Sequence, residues 1–192
     1  MEILVKKARR RDKEAFSQLM RGYGPDMYRT AIAILKNADD AADAMQETAL
    51  TCWEKLDTLK RDDYFKTWMM RILINQCNAI YKQKKRYVSD EMLQESAASD
   101  TAYNSVEWRI LLENLEEKYR TVIILYYVEG FKVREIARIL DISESAVKGR
   151  LVTAREKVEK LYRPAKEVSR IKKAACNYQR ENGLFRKELK SL

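Results

Sequence analysis

The sequence predicts an all-α protein: two helical domains joined by a flexible acidic linker. Three observations predict it. Ala, Leu, Glu, Lys and Arg dominate the 192 residues, while Gly (5) and Pro (2) are scarce, a balance that favours helix. No stretch keeps a period-two alternation long enough to build a large sheet. Charge falls in blocks, and one block, residues 88–104, carries four acids and no base, is rich in Ser and Ala, and lacks helical periodicity. That block divides the chain into a domain over 1–87, a linker over 88–104, a second domain over 105–163, and a basic C-terminal extension over 164–192.

Taken in order, the first strong element is the acidic stretch "NADDAADAMQETALTCWEKLD", residues 37–57, with six acids against one base. A solvated acidic face is the ordinary reading of such a helix. The next is "YFKTWMMRILINQCNAIYKQKKRY", residues 64–87, with six bases and no acid. Phe65 and Trp68 sit at core spacing within it. Beyond the linker, Trp108, Leu111, Leu112 and Leu115 form one apolar stripe. Val122, Ile123, Leu125, Tyr126 and Val128 form another, which Gly130 ends.

Then comes "REIARILDISESAVKGRLVTAREKVEKL". Ile136, Ala137, Leu140, Val147 and Leu151 are spaced to face one another across two short helices. Asp141 falls at the turn, where left-handed backbone is wanted, and Ser143 is placed to cap the second helix. This is helix-turn-helix spacing, in which a second helix enters the major groove. Its outward positions are Lys148, Gly149, Val152, Thr153 and Arg155, flanked by Arg150 and Lys157. In the extension, Val168, Ile171, Ala175 and Tyr178 recur at helical spacing, which predicts a short helix packed partly on its own domain.

Charge and composition narrow the function. The net charge of +9 and pI of about 9.4 point to nucleic acid or another anionic partner. There is no histidine, which removes the commonest general base and zinc ligand. Cys52, Cys77 and Cys176 are far apart and make no metal or redox motif, as expected of reduced thiols. With no Gly-rich phosphate loop either, the sequence predicts no enzyme, no cofactor and no metal. No apolar run approaches the ~20 residues of a membrane span, and the N-terminal apolar stretch is too short for a signal peptide. A cytoplasmic location, with no membrane insertion of its own, is expected.

The stretch "LENLEEKYRTVIILYYVEGFKVREIARILDISESAVKGRLVTAREKV" resembles region 4 of bacterial sigma-70 family factors, especially the small extracytoplasmic-function (ECF) group. "AFSQLMRGYGPDMYRTAIAILKNADDAADAMQETALTCWEKL", followed by "FKTWMMRILINQCNAIYKQKKR", is similar to region 2 of the same group. The resemblance covers residues 15–162 in family order, and region 3 is missing, as it is in that group. It implies a non-enzymatic initiation factor that joins core RNA polymerase through the β′ clamp helices and the β flap. It also implies promoter DNA as a partner, and control by an anti-sigma factor that is often membrane-anchored.

Residue by residue, the resemblance puts Asp40, Asp43, Gln46 and Glu47 on the clamp. It puts Lys66, Arg71, Asn75, Lys82, Lys84, Lys85 and Arg86 at the −10 element, Asn75 near the pocket for a flipped base. Read without the resemblance, Asn75 is a helix-terminal hydrogen-bonding residue. Ser145, Lys148, Gly149, Arg150, Val152, Thr153 and Arg155 fall at the −35 element. Four acids of the linker are placed to follow the RNA path. Departures are Ala49 for a usual aromatic, Ala79 for an acid or amide, Lys132 for a capping Ser or Thr, Gly149 for a frequent Ser, and Thr153 for a frequent Arg. Ala49 implies a repacked polymerase dock, Ala79 an altered −10 loop, and the changes in the helix-turn-helix an unusual −35 preference. The competing readings are an operator-binding helix-turn-helix regulator and a helical adaptor with no DNA contact.

Overall fold

The computed structural model describes residues 1–87 and 114–161, with the side chains of 85–87 and 161 left aside. Leu115 of the first stripe is described and buried, whereas Trp108, Leu111 and Leu112 of that stripe, the linker, Cys176 and the helix expected in the extension lie outside the described residues. Those residues form seven α-helices and no strand: α1 (Glu2–Arg9), α2 (Lys13–Leu35), α3 (Ala38–Glu54), α4 (Phe65–Tyr87), α5 (Glu117–Ile123), α6 (Val133–Leu140) and α7 (Glu144–Leu161).

Local chemistry starts and stops these helices where the side chains allow it. The Asp12 carboxylate accepts the Ala15 N–H at 3.0 Å and opens α2. Asn37 does the same for α3 through the Asp40 N–H at 2.9 Å. Lys36 ends α2 in left-handed backbone, φ 56°. In the first half, α2, α3 and α4 pack on one another with α1 across α2. Their shared core is Leu19, Leu56, Phe65, Met69, Met70 and Leu73, each at most 1% exposed. Ala41 and Ala44 on α3 are both fully buried, and such small side chains let helix backbones approach closely.

In the second half, α5 does not run as a regular helix to Gly130. Residues Ile124–Val128 form a π turn, and the Glu129 N–H reaches back five residues to the Ile124 carbonyl at 2.9 Å. The extra residue shifts the helical phase by about 100°. Gly130 then turns the chain at φ 72°.

The helix-turn-helix follows as the sequence predicts. Asp141 takes φ 56° and ψ 45°, and the Ser143 hydroxyl accepts the Ala146 N–H at 3.1 Å. Ile136, Val147 and Leu151 are buried at the crossing and Leu140 is half-buried. Lys132 cannot cap α6 with its own side chain. Glu135 compensates by accepting the Lys132 N–H at 2.7 Å, half of a capping box.

The two halves share one continuous apolar cluster, in which Val122, Leu125, Phe131 and Ile136 join the residues of the first half. Contact runs between α4 and α6 and between α2 and α5.

Candidate nucleic-acid and partner surfaces

Three surfaces carry the residues singled out by the sequence. The first is the outer face of α3. Asp39, Asp43, Gln46, Glu47, Leu50 and Glu54 are exposed at three- and four-residue spacing, opposite buried Ala41, Ala44, Thr48 and Cys52. Asp43, Gln46 and Glu47 therefore share one solvent face. Asp40 stands apart from them: its carboxylate is 13% exposed and accepts Lys84 Nζ at 2.6 Å.

Leu50, 58% exposed in the middle of the acidic face, is a residue the sequence reading passed over. The signal was available, since Leu50 lies at i+7 and i+3 from Asp43 and Glu47. Trp53 is half-buried. Its ring lies 5.0 Å from that of Phe16, with the Arg11 guanidinium 5.4 Å from its centroid.

The second surface is α4. Phe65 is core and Trp68 packs partly against it. Asn75, Lys82 and Lys84 are exposed. Asn75 lies in the middle of α4, so the helix-terminal reading of this residue is wrong; the helix continues to Tyr87 because its apolar side packs on the first-half core. Lys85 and Arg86 belong to the same helix. Lys66 and Arg71 both reach toward the second half, Lys66 from a half-buried position and Arg71 from an exposed one. Lys66 Nζ stands 2.8 Å from Asp26 and 3.3 Å from Glu129, and lies 5.2 Å from the Phe131 ring centre. Arg71 reaches Asp141 of the helix-turn-helix turn at 3.6 Å.

Glu129 is the centre of that arrangement. Its side chain is 1% exposed and also meets Arg29 at 3.1 Å. Arg29 in turn holds Asp26 at 2.5 Å. Burial, reinforced by the Asp26 charge, pushes the Glu129 carboxyl up to about 7, against the opposing pull of Arg29 and Lys66. Burial alone would depress Lys66, but its hydrogen bond to Asp26 and the Glu129 charge hold it above the ordinary lysine value.

The third surface is α7. Ser145, Lys148, Gly149 and Val152 are exposed, and Val152 is 49% so. A Cβ at Gly149 would meet nothing within 4 Å, so packing within the fold does not demand glycine there. Arg150, Thr153 and Arg155 are half-buried. Arg155 is tethered to the π turn, donating from Nε to the Tyr127 hydroxyl at 2.8 Å. Ser145 shares a hydrogen bond with the capping Ser143 at 2.9 Å.

Among the described residues no cluster of His, Cys, Asp or Glu could hold a metal ion, and no helix is long and apolar enough to cross a membrane. Burial pushes the thiols of Cys52 and Cys77 up to about 12, so both stay protonated near neutral pH.

Comparison with known proteins adds the family. Residues 19–87 match the family model for sigma-70 region 2, and residues 106–158 match that for sigma-70 region 4. The chain is 30% identical over 187 residues to the ECF RNA polymerase sigma factor SigW of Bacillus subtilis, covering 85% of this chain and 99% of that protein. It is 33% identical over 132 residues to the RNA polymerase sigma factor SigV of the same organism, covering 67% and 80%. Among solved structures it resembles the sigma factor RpoE in complex with the anti-sigma factor NepR from Bartonella quintana, with a TM-score of 0.68 and 28% identity over 76% of this chain and 95% of that one. It also resembles CnrH in complex with the cytosolic domain of CnrY, with a TM-score of 0.64 and 27% identity over 83% and 95%.

Proposed function

The chain belongs to the ECF group of the sigma-70 family of RNA polymerase sigma factors, and we propose from that premise that its α3 face docks on core polymerase while α4 and α7 read the two promoter elements. The observation that carries this reading is the ordered pair of region 2 and region 4 matches, each bearing its own charged face. A region 2 match over 19–87 favours an initiation factor over an operator-binding regulator, because such a regulator has no use for a polymerase-docking and melting domain.

In this reading the protein is a dissociable, cytoplasmic, non-enzymatic subunit with no cofactor. Core polymerase and promoter DNA are its partners, with an anti-sigma factor as its restraint. The two solved relatives in complex with CnrY and NepR support that last point. Residues 1–87 form the polymerase-binding and −10 domain, and 105–163 the −35 domain.

Asp43, Gln46 and Glu47 present acceptors to a basic partner helix, the surrounding charge favours fast and oriented encounter, and Leu50 supplies an apolar centre. Lys82 and Lys84 neutralise phosphate near the −10 strand, with Asn75 beside the flipped base. Lys148 and Val152 face the −35 base edges, and Arg155 supports the reading helix from its flank. The test is run-off transcription with core polymerase on a genomic promoter library. Polymerase-dependent initiation from a defined promoter set supports the reading; duplex binding by the chain alone, with no effect on initiation, overturns it.

Two predictions sharpen these assignments. Charge reversal at both Asp43 and Glu47 is expected to weaken binding to core polymerase while the melting curve stays unchanged, because both side chains are exposed. Asp40 is unsuited to that test, since reversing it also disrupts its contact with Lys84. Lys148→Ala is expected to cost about 1–3 kcal/mol at promoters with the preferred −35 sequence and little elsewhere. Lys84→Ala should instead weaken binding evenly across sequences and flatten its salt dependence. Promoter titrations at two salt concentrations separate the two patterns.

A further inference from the structure

Glycine is a poor residue for the interior of a helix, and Gly149 is the sixth residue of the 18-residue α7. Nothing inside the fold asks for it, since a Cβ there would meet nothing within 4 Å. Val152 is equally unexpected, a branched apolar side chain left 49% exposed on the same helix. Three residues apart, the two are neighbours on one face, opposite buried Val147, Leu151 and Ala154. The residues around them are committed or less exposed. Ser145 is bonded to the capping Ser143, Arg155 to Tyr127, and Thr153 is half-buried. Gly149 and Val152 therefore lie at the centre of the outward face, with exposed Lys148 beside them.

We propose that Gly149 and Val152 form a notch for the C5-methyl group of one thymine in the −35 element, Gly149 giving the room and Val152 the packing surface. This deepens, and rests on, the reading of α7 as the −35 helix. The logic is chemical elimination. Neither side chain can donate or accept a hydrogen bond, so neither can read the polar pattern of a base edge. The one apolar group that a base pair shows in the major groove is the thymine methyl. In a helix the valine side chain is held in one strongly preferred rotamer, so its methyl groups are presented with little entropy left to lose.

With no Cβ at position 149, the helix backbone and the thymine methyl can approach each other closely. A residue that costs helix stability and serves no packing in the fold is then accounted for by what the helix meets outside it. Lys148 supplies a donor to a neighbouring guanine or to phosphate. The notch adds selectivity to a contact that charge alone would leave permissive.

The experiment uses the full chain assembled with core polymerase, on a fragment carrying the strongest promoter from the run-off library. Each −35 thymine, on either strand, is replaced singly by deoxyuridine, which removes the methyl and keeps the base pair. Mobility shift reads holoenzyme affinity. In the parent, one replacement is expected to weaken binding about three- to fivefold, the worth of one buried methyl. Val152→Ala is expected to bind the thymine fragment about as weakly as the parent binds that uridine fragment, and to treat the two fragments alike. Gly149→Ala is expected to melt at or above the parent temperature, because alanine is the better helix former, yet to bind the thymine fragment about fivefold more weakly or worse. Removing the methyl at the same position should bring it back to within about twofold of the parent on that fragment, since the added Cβ and the methyl compete for one space. Both positions are exposed, so neither variant removes a core contact.

A parent that is indifferent to every −35 methyl overturns the notch. So does a methyl effect that survives in Val152→Ala. A Gly149→Ala deficit that is absent, or equal on both fragments, overturns the role given to the glycine. Failure of the underlying −35 reading looks different: Lys148→Ala and every −35 base-pair substitution would leave initiation unchanged in run-off transcription.

Discussion

Ile136→Ala is expected to lower the stability of the second half by about 2–5 kcal/mol, the cost of deleting a fully buried branched side chain from a packed crossing. Ile136 is 0% exposed on α6, in a core that also holds Val147 and Leu151 of α7. Three carbons are removed, and neither helix can collapse into the space freely. The turn between them has one left-handed residue, Asp141, and a capped start at Ser143. The crossing should therefore loosen or melt as a unit. Initiation at −35-dependent promoters should fall with it, although Ile136 faces the core. Thermal denaturation checks the first effect and run-off transcription the second. A variant that melts like the parent would mean that the crossing is not a stability determinant.

The second large effect concerns pH. Glu129 is buried among Asp26, Arg29 and Lys66, and its carboxyl is pushed up from the ordinary 4.5 to about 7. The folded chain therefore keeps a proton on Glu129 that the unfolded chain releases at much lower pH. Stability from this group is fully present below the unfolded value and is lost as pH rises through about 7. The expected loss is about 2 kcal/mol between about pH 5.5 and about pH 8, seen as a Tm several degrees lower at the alkaline end.

This window is unusually clean because the chain has no histidine and the described thiols titrate far above it. Glu129→Gln supplies the control, since an amide has no proton to lose. Its Tm should be nearly level across the range where the parent slopes downward. Parallel slopes in the two proteins would show that Glu129 does not carry the dependence.

Much of the fold was legible in the sequence because it rests on local chemistry. The helix-turn-helix followed from apolar spacing, a residue tolerant of left-handed backbone at Asp141 and a capping hydroxyl at Ser143, all within about 20 residues of one another. The solvent face of α3 followed from the spacing of Asp43, Gln46 and Glu47. In the same way Gly130 marked a helix end, and Phe65 and Trp68 were read correctly as packing residues.

Other features had no local signal. Val122–Val128 read as a plain apolar stripe, but its last five residues, Ile124–Val128, form a π turn packed with Ala33 of α2 and Ala154 of α7. Arg155 read as an outward base and is instead held by the Tyr127 hydroxyl, 28 residues away. Lys84 read as a phosphate contact and also holds Asp40, 44 residues away. Glu129 carried no signal at all.

The sequence by itself determined the helical class, the helix-turn-helix with its turn and cap, and which residues carry charge. The tertiary structure alone decided which charges meet. A helix's period and caps are fixed by neighbours within a turn or two, whereas an ion pair such as Lys66–Glu129 exists when two segments 63 residues apart are folded to 3.3 Å and water is removed around them.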